Sequence, residues 1–554
     1  MALTKATYSM IEGAPVNVLD FGASSSATSA VNLAAFKAAV AAVPAGGSLV
    51  IPSASAPYII NTSGGLSTVI EINKRMEIVF EGDVKASASA IQANPTYIFN
   101  VTADNVTFTG AGGKIIGDGT TNSANTGTDA TFPGLVYVTG DSFTMTGCVI
   151  DTPPKVGVML YNCVGAKLLG NTFTGGPTTY TDTAYFGVRA FQGSAHNISD
   201  NSFLPDGSGG MYVSAIFFNG TASSIVDSNI CVYPYEKLIY CVGAKNIVSN
   251  NQVIGNPNNI PGSLPVVKGT ITSVYRFDGD NNICVGNFSD YCAAGVTCLN
   301  SKGNVVKENT FLRCGQLGVV IFETAGYAGG ISGTVVADNY ITFDGGMGFS
   351  LGSGGIQIDA SQSAASKIVV KNNYIDTFSN AAGAAVYLVG TSGTKITKSN
   401  ISGNVIASSV NGILASYVEQ STITQNAMSA ISNTMIIQSS TCANNIVTGN
   451  QSTDAAAILD SGYSTNSTYL NNQNTIAPLT GLVTLSAAAT TLVSHGGVRA
   501  HARVFLQAAN AAAGTLVSGS KSPYVTVSQP NFSIVTADGT AAAGTEQFWY
   551  SIVQ

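Results

Sequence analysis

Charge is scarce in this 554-residue chain: only 10 % of residues are Asp, Glu, Lys or Arg, and the formal net charge is −7. No basic stripe or Lys/Arg run is present to neutralise phosphates, so nucleic acid is not an expected partner. Histidine is rarer still. The three residues, His196, His495 and His501, lie far apart in sequence, which argues against a histidine-rich zinc site; no metal and no cofactor are expected. Apolar runs long enough to cross a bilayer are missing. The opening, Met1 to Glu12, is polar and mixed rather than a signal peptide, so we expect a soluble chain with no membrane insertion and no secretion signal. The nine cysteines (Cys148, Cys163, Cys231, Cys241, Cys284, Cys292, Cys298, Cys314 and Cys442) form no C-x-x-C pair. They read as buried small apolar residues in a reduced compartment.

What is present is a repeated phrase. From Leu168 to Asn472 an apolar residue is followed three places on by asparagine, at Asn171, Asn201, Asn229, Asn251, Asn287, Asn309, Asn339, Asn373, Asn404, Asn426, Asn450 and Asn472. Successive spacings are 30, 28, 22, 36, 22, 30, 34, 31, 22, 24 and 22 residues; the shortest recurs four times, and the longer ones read as that unit with loops inserted. A repeat this short, rich in Val, Ile, Thr and Gly, predicts a solenoid whose turns each supply short parallel strands and bury their apolar residues by stacking on the next. Asparagine suits the recurrent position because it tolerates left-handed backbone angles at a tight turn, and because its amide can bond the same amide one rung away. A second marker agrees: Gly157, Gly187, Gly295 and Gly412, each followed by Val or Ile, stand 14 residues before a ladder asparagine. The expected fold class is all-β, a right-handed parallel β-helix of about a dozen rungs.

Around this body the chain divides as follows. Residues 1–15 read as an attachment arm and 16–100 as an N-terminal cap with the first rungs. Residues 101–479 read as the β-helix with its groove, and 480–554 as a small C-terminal β domain. The cap holds a helical stretch from Thr28 to Val43, with Val31, Ala34, Phe36, Val40 and Val43 broadly on one face; a helix there covers strand edges that would otherwise invite aggregation. The tail alternates like antiparallel strands at Tyr524–Val527 and Phe532–Val535 and carries no asparagine ladder.

The segments APVNVLDFGA, PAGGSLVIPS and PYII, which flank the helical stretch between Ala14 and Ile60, resemble the pectate-lyase-like opening of bacteriophage tailspikes and capsule depolymerases. The stretch from Ala502 to Gln554 is similar to a C-terminal module of phage tail proteins. The resemblance implies a homotrimer, with the C-terminal module used for trimerisation or glycan contact. It also implies docking of the N-terminal arm onto the phage tail or another tail protein, location in the virion after synthesis in the host cytoplasm, and a bacterial surface polysaccharide, capsule or O-antigen, as partner.

Hydrolysis of a glycosidic bond commonly takes two carboxyl groups. Strands entering at the glycine marker end in Asp278, Asn300, Glu323 and Asp359, so successive rungs bring three acids to one region. From Gly318 to Asn339 is 21 residues and from Gly355 to Asn373 is 18, against 14 elsewhere; the extra residues, Ala325–Gly330 and Ser361–Ser366, are expected to wall a cleft. With rungs about 4.8 Å apart, Glu323 and Asp359 are expected roughly 5 Å apart and Asp278 and Glu323 roughly 10 Å, which leaves retaining and inverting chemistry both open. Glu323 falls five residues after its glycine and Asp359 four, so the pair converges only if a bulge or the strand-end turn absorbs one residue. Glu236, flanked by Tyr233 and Tyr235, is the fourth catalytic candidate. Arg276, Arg189, Gln357, Tyr327, Tyr275 and Tyr185 are the candidate substrate contacts, with Tyr180 a further platform. The leading expectation is a tailspike that hydrolyses its polysaccharide. The rivals are a lyase acting on a uronate-containing glycan, a deacetylase using a serine nucleophile, and a receptor-binding fibre without activity.

Overall fold

The computed structural model describes residues 14–553 except 62–68, 88–96, 118–133, 176–185, 206–213, 233–236, 256–272, 293, 316, 325–328, 344–353, 378–382, 440, 454–456, 462–465, 471, 475–479, 495–497, 499–501 and 529–530. The chain forms two compact units, Met1–Leu312 and Arg313–Gln554.

In the N-terminal unit each coil supplies three strands. One coil runs through Phe186–Phe191, Asn197–Ser199 and Ser202–Leu204, the next through Ser214–Asn219, Ile225–Asp227 and Ile230–Val232, and the next through Lys237–Val242, Ile247–Ser249 and Gln252–Ile254. Equivalent strands pair in parallel, with Val188 beside Ile216 and Ile216 beside Ile239 in the long-strand sheet. Ile198, Val226 and Val248 align in the second sheet, and Phe203, Cys231 and Val253 in the third. Alternate side chains face the interior, so Val188, Ile198, Phe203 and their equivalents are fully or almost fully buried. This is a parallel β-helix. Gly187 is required where the long strand passes the third sheet: a Cβ there would sit 2.5 Å from the Phe203 ring. All nine cysteines are buried and unbonded to one another.

The asparagine ladder forms in both units. Each Nδ2 donates to the Oδ1 of the next rung, Asn171 to Asn201, Asn201 to Asn229, Asn229 to Asn251, Asn251 to Asn287 and Asn287 to Asn309, at 2.9–3.0 Å. In the C-terminal unit it runs from Asn339 through Asn373, Asn404, Asn426 and Asn450 to Asn472 at 2.8–2.9 Å. The left-handed angle expected of these asparagines falls one residue earlier, at Gly170, Asp200, Ser228, Asn250, Gly286 and Glu308. The ladder residue is selected for its amide, and its predecessor makes the turn.

A second ladder lies five residues before the first. In the N-terminal unit Ala166 N–H donates to His196 Nδ1, His196 N–H to Ser224 Oγ, Ser224 N–H to Asn246 Oδ1, and Asn246 and Asn282 N–H to Asn282 and Asn304. In the C-terminal unit Ser399, Ser421, Asn445 and Ser467 do the same. Burial pulls His196 down from 6.5 to about 4, opposed by Asp141. A lowered value means the fold favours the neutral ring, so its stabilisation is complete above pH 6.5 and drains away as pH falls through 4, on the order of 3 kcal/mol in all. Chemical unfolding of the wild type and His196→Asn across pH 7 to 4 is expected to give a steeper loss for the wild type; parallel curves refute this.

The helix Ser29–Ala42 starts at Thr28, whose Oγ1 accepts from Val31 N–H at 3.4 Å, and ends before Pro44. It covers the first coils with Asn32, Ala35, Phe36, Ala39 and Val40; Phe36 meets Tyr58 edge-on at 5.8 Å. Val31 and Ala34, expected on the covering face, are exposed. The reason is Asn32, whose amide takes an inner position by bonding Ser24 N–H and Ile59 O.

The C-terminal unit repeats the coil through strands such as Ile356–Asp359, Val369–Lys371 and Tyr374–Asp376. It ends in two three-stranded antiparallel sheets, one centred on Gln547–Val553 and the other on Asn531–Thr536. Phe532, Ile534, Phe548 and Ile552 fill the space between these sheets with Ala513 and Leu516 of the helix Ala511–Ser518. Among the described residues no helix is long and apolar enough to cross a membrane.

Candidate functional site

The outer face of the long-strand sheet carries a run of aromatic and cationic side chains. Register carries one row from strand to strand through Tyr137, Met159, Arg189, Phe217, Tyr240, Arg276 and Thr297. Because neighbouring strands lie about 4.8 Å apart, rings at equivalent positions meet face to face. Phe217 stacks on Tyr240 at 4.7 Å and, in the adjoining row, Tyr161 on Phe191 at 5.3 Å; Phe186, whose register partner is Ser214, also stacks on Phe217, at 5.3 Å. The Arg189 guanidinium lies 4.9 Å from the centre of the Phe186 ring and 5.0 Å from that of Phe217. At 3 % exposure, Arg189 is packed within the aromatic face rather than offered to a sugar.

Asp278 stands at the end of this row. Its Oδ1 accepts from Arg276 Nε at 2.9 Å, and its Oδ2 accepts from Arg276 Nη2 at 2.9 Å and from Tyr240 Oη at 2.6 Å. Period-two alternation puts Arg276 and Asp278 on one face of the strand, which allows the two-pronged ion pair. Arg276 was expected to contact substrate; two of its nitrogens are committed to Asp278. Tyr275 alternates to the other face, fully buried, and donates to Asn251 O and Phe288 O at 3.2 Å. It is a core residue and not a sugar platform. Tyr240, which the sequence reading passed over, is the member that completes the cluster.

In the C-terminal unit the outer row holds Val320, Gln357 and Tyr387, and beside it Phe322, Asp359 and Val389. Asp359 accepts from Ser361 N–H at 2.8 Å. The Tyr387 hydroxyl titrates above its usual value, first through burial and then through the neighbouring Asp359 charge; Tyr387, which sequence reasoning missed, stands beside the candidate Gln357 in the outer row.

The expected convergence of Glu323 on Asp359 is corrected by the register. Phe322, not Glu323, pairs with Asp359, and the pairing from Val319 onward runs without a bulge. Glu323 is therefore one step out of phase with Asp359 and is buried at 3 % exposure, with neither carboxyl oxygen hydrogen-bonded. The insertion Ser361–Ser366, expected to wall a cleft, is partly used otherwise: Ala365–Ser366 joins Ile331–Ser332, Ile396–Thr397 and Val418–Glu419 in a short fourth parallel sheet. Glu236, Tyr185, Tyr180 and Tyr327 lie outside the described residues, as does residues 1–13 of the expected arm. Among the described residues no three His, Cys, Asp or Glu side chains gather to hold a metal ion.

No protein-family model matches the chain, and no curated protein sequence matches it. Solved structures do. The fold is that of a tailspike-like parallel β-helix. A double mutant of the tailspike protein of E. coli bacteriophage HK620, in complex with a pentasaccharide, superimposes with a TM-score of 0.53 at 14 % identity, over 98 % of this chain and 94 % of that one. The unmutated HK620 tailspike with pentasaccharide gives 0.53 at 13 % identity over the same shares. The surface adhesin PfbA of Streptococcus pneumoniae gives 0.44 at 13 % identity, over 76 % of this chain and 91 % of that one. At these identities the likeness is one of fold.

Proposed function

We propose that this protein is a phage tailspike that binds a bacterial surface polysaccharide and depolymerises it by glycosidic hydrolysis. The observation that carries the reading is the outer face of the long-strand sheet, where aromatic rings and a carboxylate held by three donors occupy consecutive rungs. Such a surface suits an extended polymer, whose apolar ring faces pack on aromatics while its hydroxyls meet polar groups. The HK620 tailspike, alike in fold, has been crystallised with a pentasaccharide, which supports a glycan as ligand. Carboxyl groups for hydrolysis are proposed from Asp359, Asp278 and Glu236, with Gln357 and Tyr387 as glycan contacts.

Incubation with purified capsular and O-antigen polysaccharides is expected to release new reducing ends. Products absorbing in the ultraviolet as unsaturated uronates would replace hydrolysis by β-elimination, and binding without cleavage would leave a receptor-binding fibre.

The chain is proposed to act as a homotrimer in the virion, with its N-terminal arm on the tail. Its C-terminal sheet exposes Leu482, Phe505 and Trp549 at 47–56 %, with Leu482 directly across from Trp549. Light scattering of Phe505→Thr/Trp549→Thr is expected to give monomers where the unaltered protein gives trimers; a trimeric variant removes this sheet from the interface.

A further inference from the structure

We propose that Tyr240 is a positioning residue that fixes Asp278 for its work on the glycan, an assignment that rests on the polysaccharide-cleaving reading above. Tyr240 belongs to the outward row, and register sets Phe217 on the rung before it and Arg276 on the rung after. Phe217 covers the ring at 4.7 Å with an interplanar angle of 18°. The Arg276 guanidinium lies 4.7 Å from the ring centre, and Lys237 Nζ lies 5.5 Å from it. A sugar stacks on an open aromatic face, whereas both sides of this ring are engaged. What Tyr240 presents outward is its edge, and at that edge the hydroxyl donates to Asp278 Oδ2 at 2.6 Å.

The arrangement has a consequence for the carboxylate. An ion pair between residues two apart on one segment does not by itself tie the carboxylate to the neighbouring strand. Tyr240 comes from the neighbouring strand and is itself clamped by stacking, so it ties the pair to the sheet. The backbone does the same from beneath, Asp278 N–H donating to Cys241 O at 2.8 Å. Three donors from two strands fix the plane of the carboxylate and leave one lone pair, on Oδ1, unused by them, the kind of preorganisation that reacting groups need and a solvated surface acid does not. Half-buried side chains, 17 % exposed for Arg276 and 14 % for Asp278, keep water from competing for these bonds.

The test is steady-state cleavage of whichever polysaccharide, in the capsular and O-antigen panel, the unaltered protein cuts. Tyr240→Phe keeps the stacked ring and removes one oxygen. It is expected to lower kcat about tenfold with KM within about twofold and an unchanged thermal melt, since misplacing a reacting group slows the chemistry more than the binding. Arg276→Lys, which keeps the charge and loses the two-pronged geometry, is expected to give the same kcat-selective loss and carries the test should the first variant unfold. Asp278→Asn separates the two ideas. If it abolishes cleavage while Tyr240→Phe leaves kcat unchanged, the positioning role is overturned and the cleavage reading stands. A rise in KM alone in Tyr240→Phe makes Tyr240 a sugar contact and overturns the assignment. Full activity in Asp278→Asn, or no cleavage by the unaltered protein, overturns it together with the role given to Asp278.

Discussion

Replacing Glu323 by Met is expected to raise the unfolding midpoint. The residue follows the apolar strand Leu317–Phe322, is 3 % exposed, and has no hydrogen bond to either carboxyl oxygen. A buried polar group left without partners costs about 1–3 kcal/mol. Methionine keeps the length of the side chain and removes that cost, so a gain on the order of 1–3 kcal/mol is expected. A variant that is less stable than the wild type would give Glu323 a structural partner and refute the expectation.

Asn229→Ala is expected to destabilise the N-terminal unit strongly. Asn229 Oδ1 accepts from both the backbone N–H and the Nδ2 of Asn201, while its own Nδ2 donates to Ile198 O and to Asn251 Oδ1. Truncation leaves at least two buried polar groups without partners, at about 1–3 kcal/mol each, and opens a gap in a close-packed turn. A loss of roughly 3–6 kcal/mol is expected in chemical unfolding. Asn433→Ala, which loses one exposed bond to Asn411, is expected to fall within about 0.5 kcal/mol of the wild type. Equal effects from the two would mean that the amide column does not hold the coils together.

Most of the fold was legible in the sequence because the ladder asparagines mark each coil at the same place. The second ladder was equally legible, five residues before the first at His196, Ser224, Asn246, Asn282 and Asn304, but its mixed chemistry concealed it from a search for one residue type. Which residue takes the left-handed angle was not readable from residue preference, since Asn, Asp, Ser, Glu and Gly all fill that position. The site was harder. Arg276 and Asp278 are two apart on one strand, so their pairing followed from alternation alone. Tyr240 lies 38 residues from Asp278 across a long insertion, and only the register of the folded sheet brings them together. The one-residue offset between Glu323 and Asp359 was visible as a count, and the absence of a bulge turned that count into opposite orientations.

The two amide columns also bear on how such a chain finds its pairing. A uniform column of asparagines is indifferent to slippage: a segment displaced by one whole coil would meet an identical amide and lose little. The companion column is less indifferent at its start, where imidazole, hydroxyl and carboxamide accept in turn at His196, Ser224 and Asn246, so a coil displaced there would meet an acceptor of different reach. The irregular member of the pair thus serves as an address that tells each coil which neighbour is its own.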